Sequence, residues 1–144
     1  MKKSIKIIID KNILNKYHQY YFNLYPKRKK VPIEKPIPPS LNMWMIMPRF
    51  KMNALKQIWK EFGNWLVNYY KLENKRIDNC KIVIEYFFPD KKRRDSDNFT
   101  PKNLFDSFTS QALLIDDDFE HIKSLTIIGN YSKDNPRTEI TIYY

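Results

Sequence analysis

Apolar and polar positions alternate at the start of the chain. Ile5, Ile7 and Ile9 are interleaved with Lys6 and Ile8, which predicts a strand over residues 4–9. Residues 10–48 show no clean period: Tyr17, Tyr20, Tyr21 and Tyr25 are followed by KRKK at 27–30 and then PIEKPIPPSLN. Prolines at 36, 38 and 39 predict an extended connection. From Phe50 to Lys71 the pattern turns helical, with Leu55, Ile58, Trp59, Phe62, Leu66 and Tyr69 three or four apart on one face. Gly63 sits inside that helix, at a cost of about 1 kcal/mol relative to alanine. KIVIEYFF at 81–88, between Asn79 and Pro89, predicts a central strand. Thr100 and Pro101 suit an N-cap and a first helical position. They predict a helix over 101–113 with Leu104, Phe105, Phe108 and Ala112 facing the core. Strands over 124–131 and 137–144, joined by a turn at 133–136, predict a hairpin. The order β-α-β-α-β-β implies a single α/β domain: a small mixed β-sheet of about four strands with two main helices packed on it.

Composition sharpens this picture. A chain of 144 residues can bury roughly two thirds of its unfolded surface. Lys and Arg number 26 against 16 Asp and Glu, a net charge of +10, which favours an acidic partner such as nucleic acid or an anionic membrane. No apolar run reaches the roughly 20 residues of a spanning helix, so no membrane partner is expected. The start, MKKSIKIIIDK, has too short an apolar run for a signal peptide. The single Cys80 excludes an internal disulfide and suits a reducing cytoplasm, the expected location. His18 and His121 have no zinc-finger partners and are read as non-catalytic, and Trp44, Trp59 and Trp65 as core.

The candidate chemistry lies in PDKKRRDSDNFTPKN, residues 89–103. Lys91, Lys92, Arg93 and Arg94 are followed at once by Asp95 and Asp97. In an extended loop alternate side chains share a side, so both carboxylates can face one Mg²⁺. A solvated turn is the competing reading of DSDN. A calcium loop fails, because its sixth position, counted from Asp95, is Thr100 instead of Gly and its twelfth is Asp106 instead of Glu. A nucleotide-sugar transferase motif lacks a supporting Gly-rich loop. A second acidic run, Asp116-Asp117-Asp118, follows the predicted helix. Lys27, Arg28, Lys29 and Lys30 offer a further basic patch, or a solvated segment. The tyrosines at 17–25 could stack on unpaired bases, although core packing is the commoner role.

The run from Pro89 to Ile122 resembles the RusA family of Holliday junction resolvases, many of them phage-borne. The resemblance is carried by Lys91-Lys92-Arg93-Arg94, Asp95-Ser96-Asp97-Asn98, Pro101-Lys102, Asp106 and Asp116-Asp117, with Pro38-Pro39-Ser40-Leu41-Asn42 upstream. It implies a homodimeric, Mg²⁺-dependent endodeoxyribonuclease that binds four-way DNA junctions and nicks paired strands. On the matching positions, Asp95, Asp97 and Asp117 would bind the metal, with Asp116 or Asp118 as alternative ligands. Lys102 would be the active-site lysine, and the cations at 91–94 would track the DNA backbone. Two departures are visible. Lys102 stands one residue further from Asp97 than in the best-known member. Ala112 stands where relatives often have Gly, which makes a left-handed helix cap costlier. A basic DNA-binding protein that does not cleave, and a nuclease for flaps or other branched DNA, are the alternatives.

Overall fold

The computed structural model describes residues 3–144. The elements are β1 (Ser4–Ile9), α1 (Lys11–Leu24), α2 (Leu41–Ile46), α3 (Arg49–Tyr69), β2 (Cys80–Phe88), α4 (Lys102–Ser110), β3 (Ile122–Tyr131) and β4 (Arg137–Tyr143), with a 3₁₀ turn at Ser96–Asn98. The mixed α/β class with a four-stranded sheet is as expected, but two further helices precede α3. In α1, Ile13, Leu14, Tyr17 and Tyr21 form a buried stripe, and the Asp10 carboxylate accepts the N–H of Ile13 at 2.9 Å as the N-cap. Tyr17 and Tyr21 are therefore core, Tyr17 standing edge-on to Phe62 with ring centres 5.0 Å apart. In α2, the Ser40 hydroxyl caps the N–H of Met43.

The strand order is β1-β4-β2-β3, with β4 antiparallel to both neighbours and β2 parallel to β3. The expected β3–β4 hairpin does not form. Residues 132–136 cross the end of β2, where the Ser132 N–H donates to the Phe88 carbonyl at 2.8 Å. Burial explains the arrangement. Thr138, Glu139, Ile140 and Ile142 of β4 are buried as a central strand requires, whereas Ile122 alone is buried in β3.

Register lines up apolar rows across the helix-covered face: Ile5–Ile142–Ile82–Leu125 and Ile7–Ile140–Ile84–Ile127. Ile7, Ile82, Ile84, Ile140 and Ile142 are wholly buried, each worth about 1.5–3 kcal/mol relative to exposure. On the other face Glu85 and Glu139 lie directly opposite each other. Lys6, at 2.7 Å, and Arg137 pair with Glu139, while Asn130 donates to Glu85 at 2.8 Å, which offsets the like-charge repulsion. The Tyr70 hydroxyl accepts the Ile8 N–H and donates to the Ile8 carbonyl, closing part of the edge of β1. No described helix is long and apolar enough to cross a membrane.

Gly63 has a packing reason. At the α3–α4 contact a Cβ on residue 63 would lie 2.4 Å from the Ser107 hydroxyl oxygen and 2.6 Å from its Cβ. That hydroxyl donates to the Lys60 carbonyl at 2.8 Å, so it is not free to move aside. Gly63→Ala gains up to about 1 kcal/mol of helix propensity but costs about 1–3 kcal/mol in overpacking. Because the clash reaches the Ser107 Cβ, the upper end applies, and thermal unfolding should show a fall of several degrees. An unchanged melting temperature would mean that α4 can slide away from α3 at no cost.

Candidate functional site

The basic run begins where Pro89 ends β2, and its cations have different roles. Arg94 pairs with Asp90 at 2.8 Å, donates to the carbonyls of Asp90 and Lys92, and lies 4.3 Å over the Phe88 ring. The Arg94 hydrogen bond and then the Lys92 N–H hold the Asp90 carboxyl below its usual range. Arg94 thus shapes the turn. Lys92 and Arg93 stay exposed, and the Lys91 ammonium lies 5.0 Å over the Tyr131 ring. Arg93 reaches Asp95 at 3.2 Å, an exposed pair of little energetic weight. Lys35, which the sequence did not single out, lines one groove with Lys92 and Arg94. In the KRKK patch, Lys27, Lys29 and Lys30 are exposed. Arg28 is not free: it donates to the Tyr21 hydroxyl at 2.8 Å and stacks 3.9 Å over the Tyr25 ring.

Asp95 is extended, but Ser96–Asn98 form a 3₁₀ turn. The alternation expected of an extended loop therefore does not carry from Asp95 to Asp97, although both carboxylates are solvent-facing. Asn98 has a definite role. Its side-chain oxygen accepts the backbone N–H of Asn42 at 2.8 Å, tying the aspartate turn to the first turn of α2. Two segments 56 residues apart, both singled out in the sequence, are thereby joined. The chain then enters α4 through Pro101, whose carbonyl accepts the Phe105 N–H at 2.9 Å. Thr100 is not the cap, and Lys102 is exposed on the first turn.

α4 ends at Ser110, three residues earlier than expected, in a Schellman motif. The N–H of Leu113 reaches the Phe108 carbonyl at 2.9 Å and that of Ala112 reaches Thr109 at 3.0 Å, with Ala112 at φ 56°. The bend that Gly would favour is made with a β-carbon in place. Asn74, Arg76 and Ile77 then donate to the carbonyls of Gln111, Ala112 and Leu113, fastening the chain just before the acidic run.

Beyond this zipper, the Asp117 N–H donates to the Asp116 carboxylate at 2.7 Å. Burial, then a side-chain hydrogen bond with Asp116 and the charges of Asp116 and Asp106, push the Asp117 carboxyl above its usual range. Like charges held this close suit a cation, and Mg²⁺ needs few protein oxygens because it keeps several waters. Asp116, Asp118 and His121 bring one ligand atom each within 4.8 Å, the one such group of three among the described residues. His121, however, has both ring nitrogens turned to carboxylates. It contacts Asp118 closely and Asp78 at 3.5 Å, and the Asp118 hydrogen bond raises its pKa. With one ring nitrogen on Asp118 and the other toward Asp78, His121 ties the acidic loop to the chain before β2. His121 therefore has a structural use that the sequence did not disclose.

Asp95, Asp97 and Asp117 do not converge to ligand distance within the described chain. Asp106, whose role the sequence left open, joins the electrostatics of Asp117 from α4. Phe119, at the tip of the acidic loop, is 90% exposed. In comparison with known proteins, the chain matches no family model and no curated protein.

Two measurements check this arrangement. Ala112→Gly removes a left-handed β-carbon and should stabilise the protein by about 0.5–1 kcal/mol. At about 2–4 °C per kcal/mol the melting temperature should rise by roughly 1–4 °C; a fall would show that residue 112 does not keep its positive φ. Asp117→Asn addresses the acidic pair. A raised carboxyl pKa gives stability that is present at low pH and is lost as pH rises from the ordinary carboxylate range through the raised value. In chelator, the variant should melt above the native protein at neutral pH, and the difference should vanish in acid. Equal melting at neutral pH would mean that Asp117 experiences no repulsion.

Proposed function

We propose that the protein is a Mg²⁺-dependent, structure-selective endodeoxyribonuclease that resolves four-way DNA junctions as a homodimer. The observation that carries this reading is the Asn98–Asn42 bond. The PPSLN and RRDSDN segments, both marked by their resemblance to the RusA family, meet in space although nothing local in the sequence links them. The charges support it. Lys92 and Arg93 stand exposed beside the aspartate turn and would hold phosphates. Lys102, on the first turn of α4, adds a cation where a helix N-terminus already favours an anion.

Asp117 and Asp116 would hold the cation. When bound, Mg²⁺ supplies a water made nucleophilic and neutralises phosphate charge. The chain's own contribution is to place the ion through the zippered bend, to position the backbone with Lys92 and Arg93, and to steady the leaving oxygen with Lys102. One acidic cluster per chain serves one cut. Two cuts in opposed strands call for two subunits, and closed two-fold dimers are the commonest assembly.

A second reading, a DNA-binding protein that does not cleave, draws on the absence of a single ligand group made by Asp95, Asp97 and Asp117 among the described residues. A synthetic mobile four-way junction, incubated with and without Mg²⁺, separates the two. Symmetric paired nicks that need Mg²⁺, with junction binding retained in chelator, are expected. Asp117→Asn, which removes one of the two carboxylates assigned to the cation, should also bind without cutting. Binding without nicks at any Mg²⁺ concentration favours the second reading, and cutting at full rate in chelator overturns the metal mechanism. Flapped duplexes in the same assay show whether junctions are preferred, and light scattering gives the subunit count.

A further inference from the structure

Beside the aspartate turn lies a cavity of about 180 Å³, of whose lining the mechanism above uses Lys102 alone. It opens between α2, the first half of α3 and the start of α4. Trp59, 3% exposed, and the half-buried Trp44 give it aromatic walls. Asn53, Asn103, Lys56 and Lys102 line it as well. An apolar cavity of about 150 Å³ takes one benzene ring, so this one, open on a side, has room for a single flat heterocycle and not for a base pair. Indole faces stack on any base, amides hydrogen-bond its edge, and lysines pair with the phosphate it hangs from. The Asn98–Asn42 bond fixes one wall of the cavity to the aspartate turn.

We propose that this cavity takes one unpaired nucleobase of the DNA substrate, stacked against Trp44 with the edge of Trp59 as its floor, and with its phosphate held by Lys56. The proposal rests on the DNA-binding part of the function above and not on cleavage. It gives the protein a direct means of telling branched or distorted DNA from perfect duplex, since a paired and stacked base cannot enter.

The test is a binding measurement in chelator, so that no cutting is involved. One duplex carries a single unpaired nucleotide, a second carries an abasic site at the same position, and a third is fully paired. The unpaired nucleotide should bind roughly 5- to 100-fold more tightly than the abasic site, as stacking of one base provides. It should also change tryptophan emission. Trp44→Ala should remove that preference while leaving the affinity for paired duplex unchanged. Asn53→Ala, at an exposed position, serves as the second variant should Trp44→Ala fold poorly, and should narrow the preference. Equal affinity for the unpaired and abasic duplexes overturns the proposal. A Trp44-dependent response to free deoxynucleoside monophosphate, without any preference within DNA, also overturns it and assigns the cavity to mononucleotides. An unpaired-base preference in a protein that never cuts junctions would keep the cavity assignment and remove the nuclease reading. A protein that binds none of the duplexes removes both.

Discussion

Burial of the isoleucine rows on one face of the sheet is the constraint on which the rest depends. The rows run through β1, β4 and β2, and they are complete only because β4 lies between the other two. α1 and α3 close over the rows from one side of the chain, and α4 is set against α3 where Gly63 admits Ser107. Once that contact is made, both ends of α4 are fixed. Its first turn carries Lys102, and its last leads through Ala112 into the acidic loop. The candidate chemistry is thus placed by core packing, although none of its side chains belongs to the core.

The backbone around the acidic loop departs from its easiest conformations in a concentrated way. Lys71, Asn74, Arg76 and Ala112 all have positive φ, and none is glycine. Lys71 ends α3 as Ala112 ends α4, each in a Schellman motif, with the Leu72 N–H reaching the Val67 carbonyl. The segments they open are hydrogen-bonded to each other. A non-glycine residue in that region costs about 1–2 kcal/mol, and it persists where surrounding bonds over-determine it. Here the zipper between 74–77 and 111–115 supplies those bonds, so the base of the acidic loop is stiff even though its tip is exposed.

How much of this was legible in the sequence depended on range. β1, β2, α3 and α4 could be read from their own periodicity to within a few residues. α1 shows the same period through Ile13, Leu14, Tyr17 and Tyr21, behind a capping Asp10, but four tyrosines obscured an amphipathic stripe usually drawn in aliphatic residues. The turn signal in SKDNP was real, yet it could not say that β2 would come between the two strands it joins, because sheet neighbours are chosen by burial across the whole chain. The site was legible as residue types and less so as geometry. Ser96–Asn98 wind into a 3₁₀ turn where an extended loop was expected. The partner of Asn98 lies 56 residues away, the partner of Arg94 consumes a charge that looked free, and His121 takes up Asp118. Trp44, read as core, stands at the wall of a cavity instead.

The position of β4 also governs the order in which this fold can be reached. β1 and β2 are not neighbours, and each waits for a strand that comes after every other element in the chain. The Ile7–Ile140 pair joins residues 133 apart, so the central contacts are among the most distant the sequence allows. Until β4 docks, β1 has no partner strand and the fully buried isoleucines of β2 form only part of their rows. Closure of so long a loop comes late and is slow compared with helix formation. During that interval the nascent sheet presents bare apolar edges, the state in which strands pair with the wrong chain. A protein built this way is therefore most vulnerable to misassociation not when its helices are loose but in the interval before its final strand is inserted.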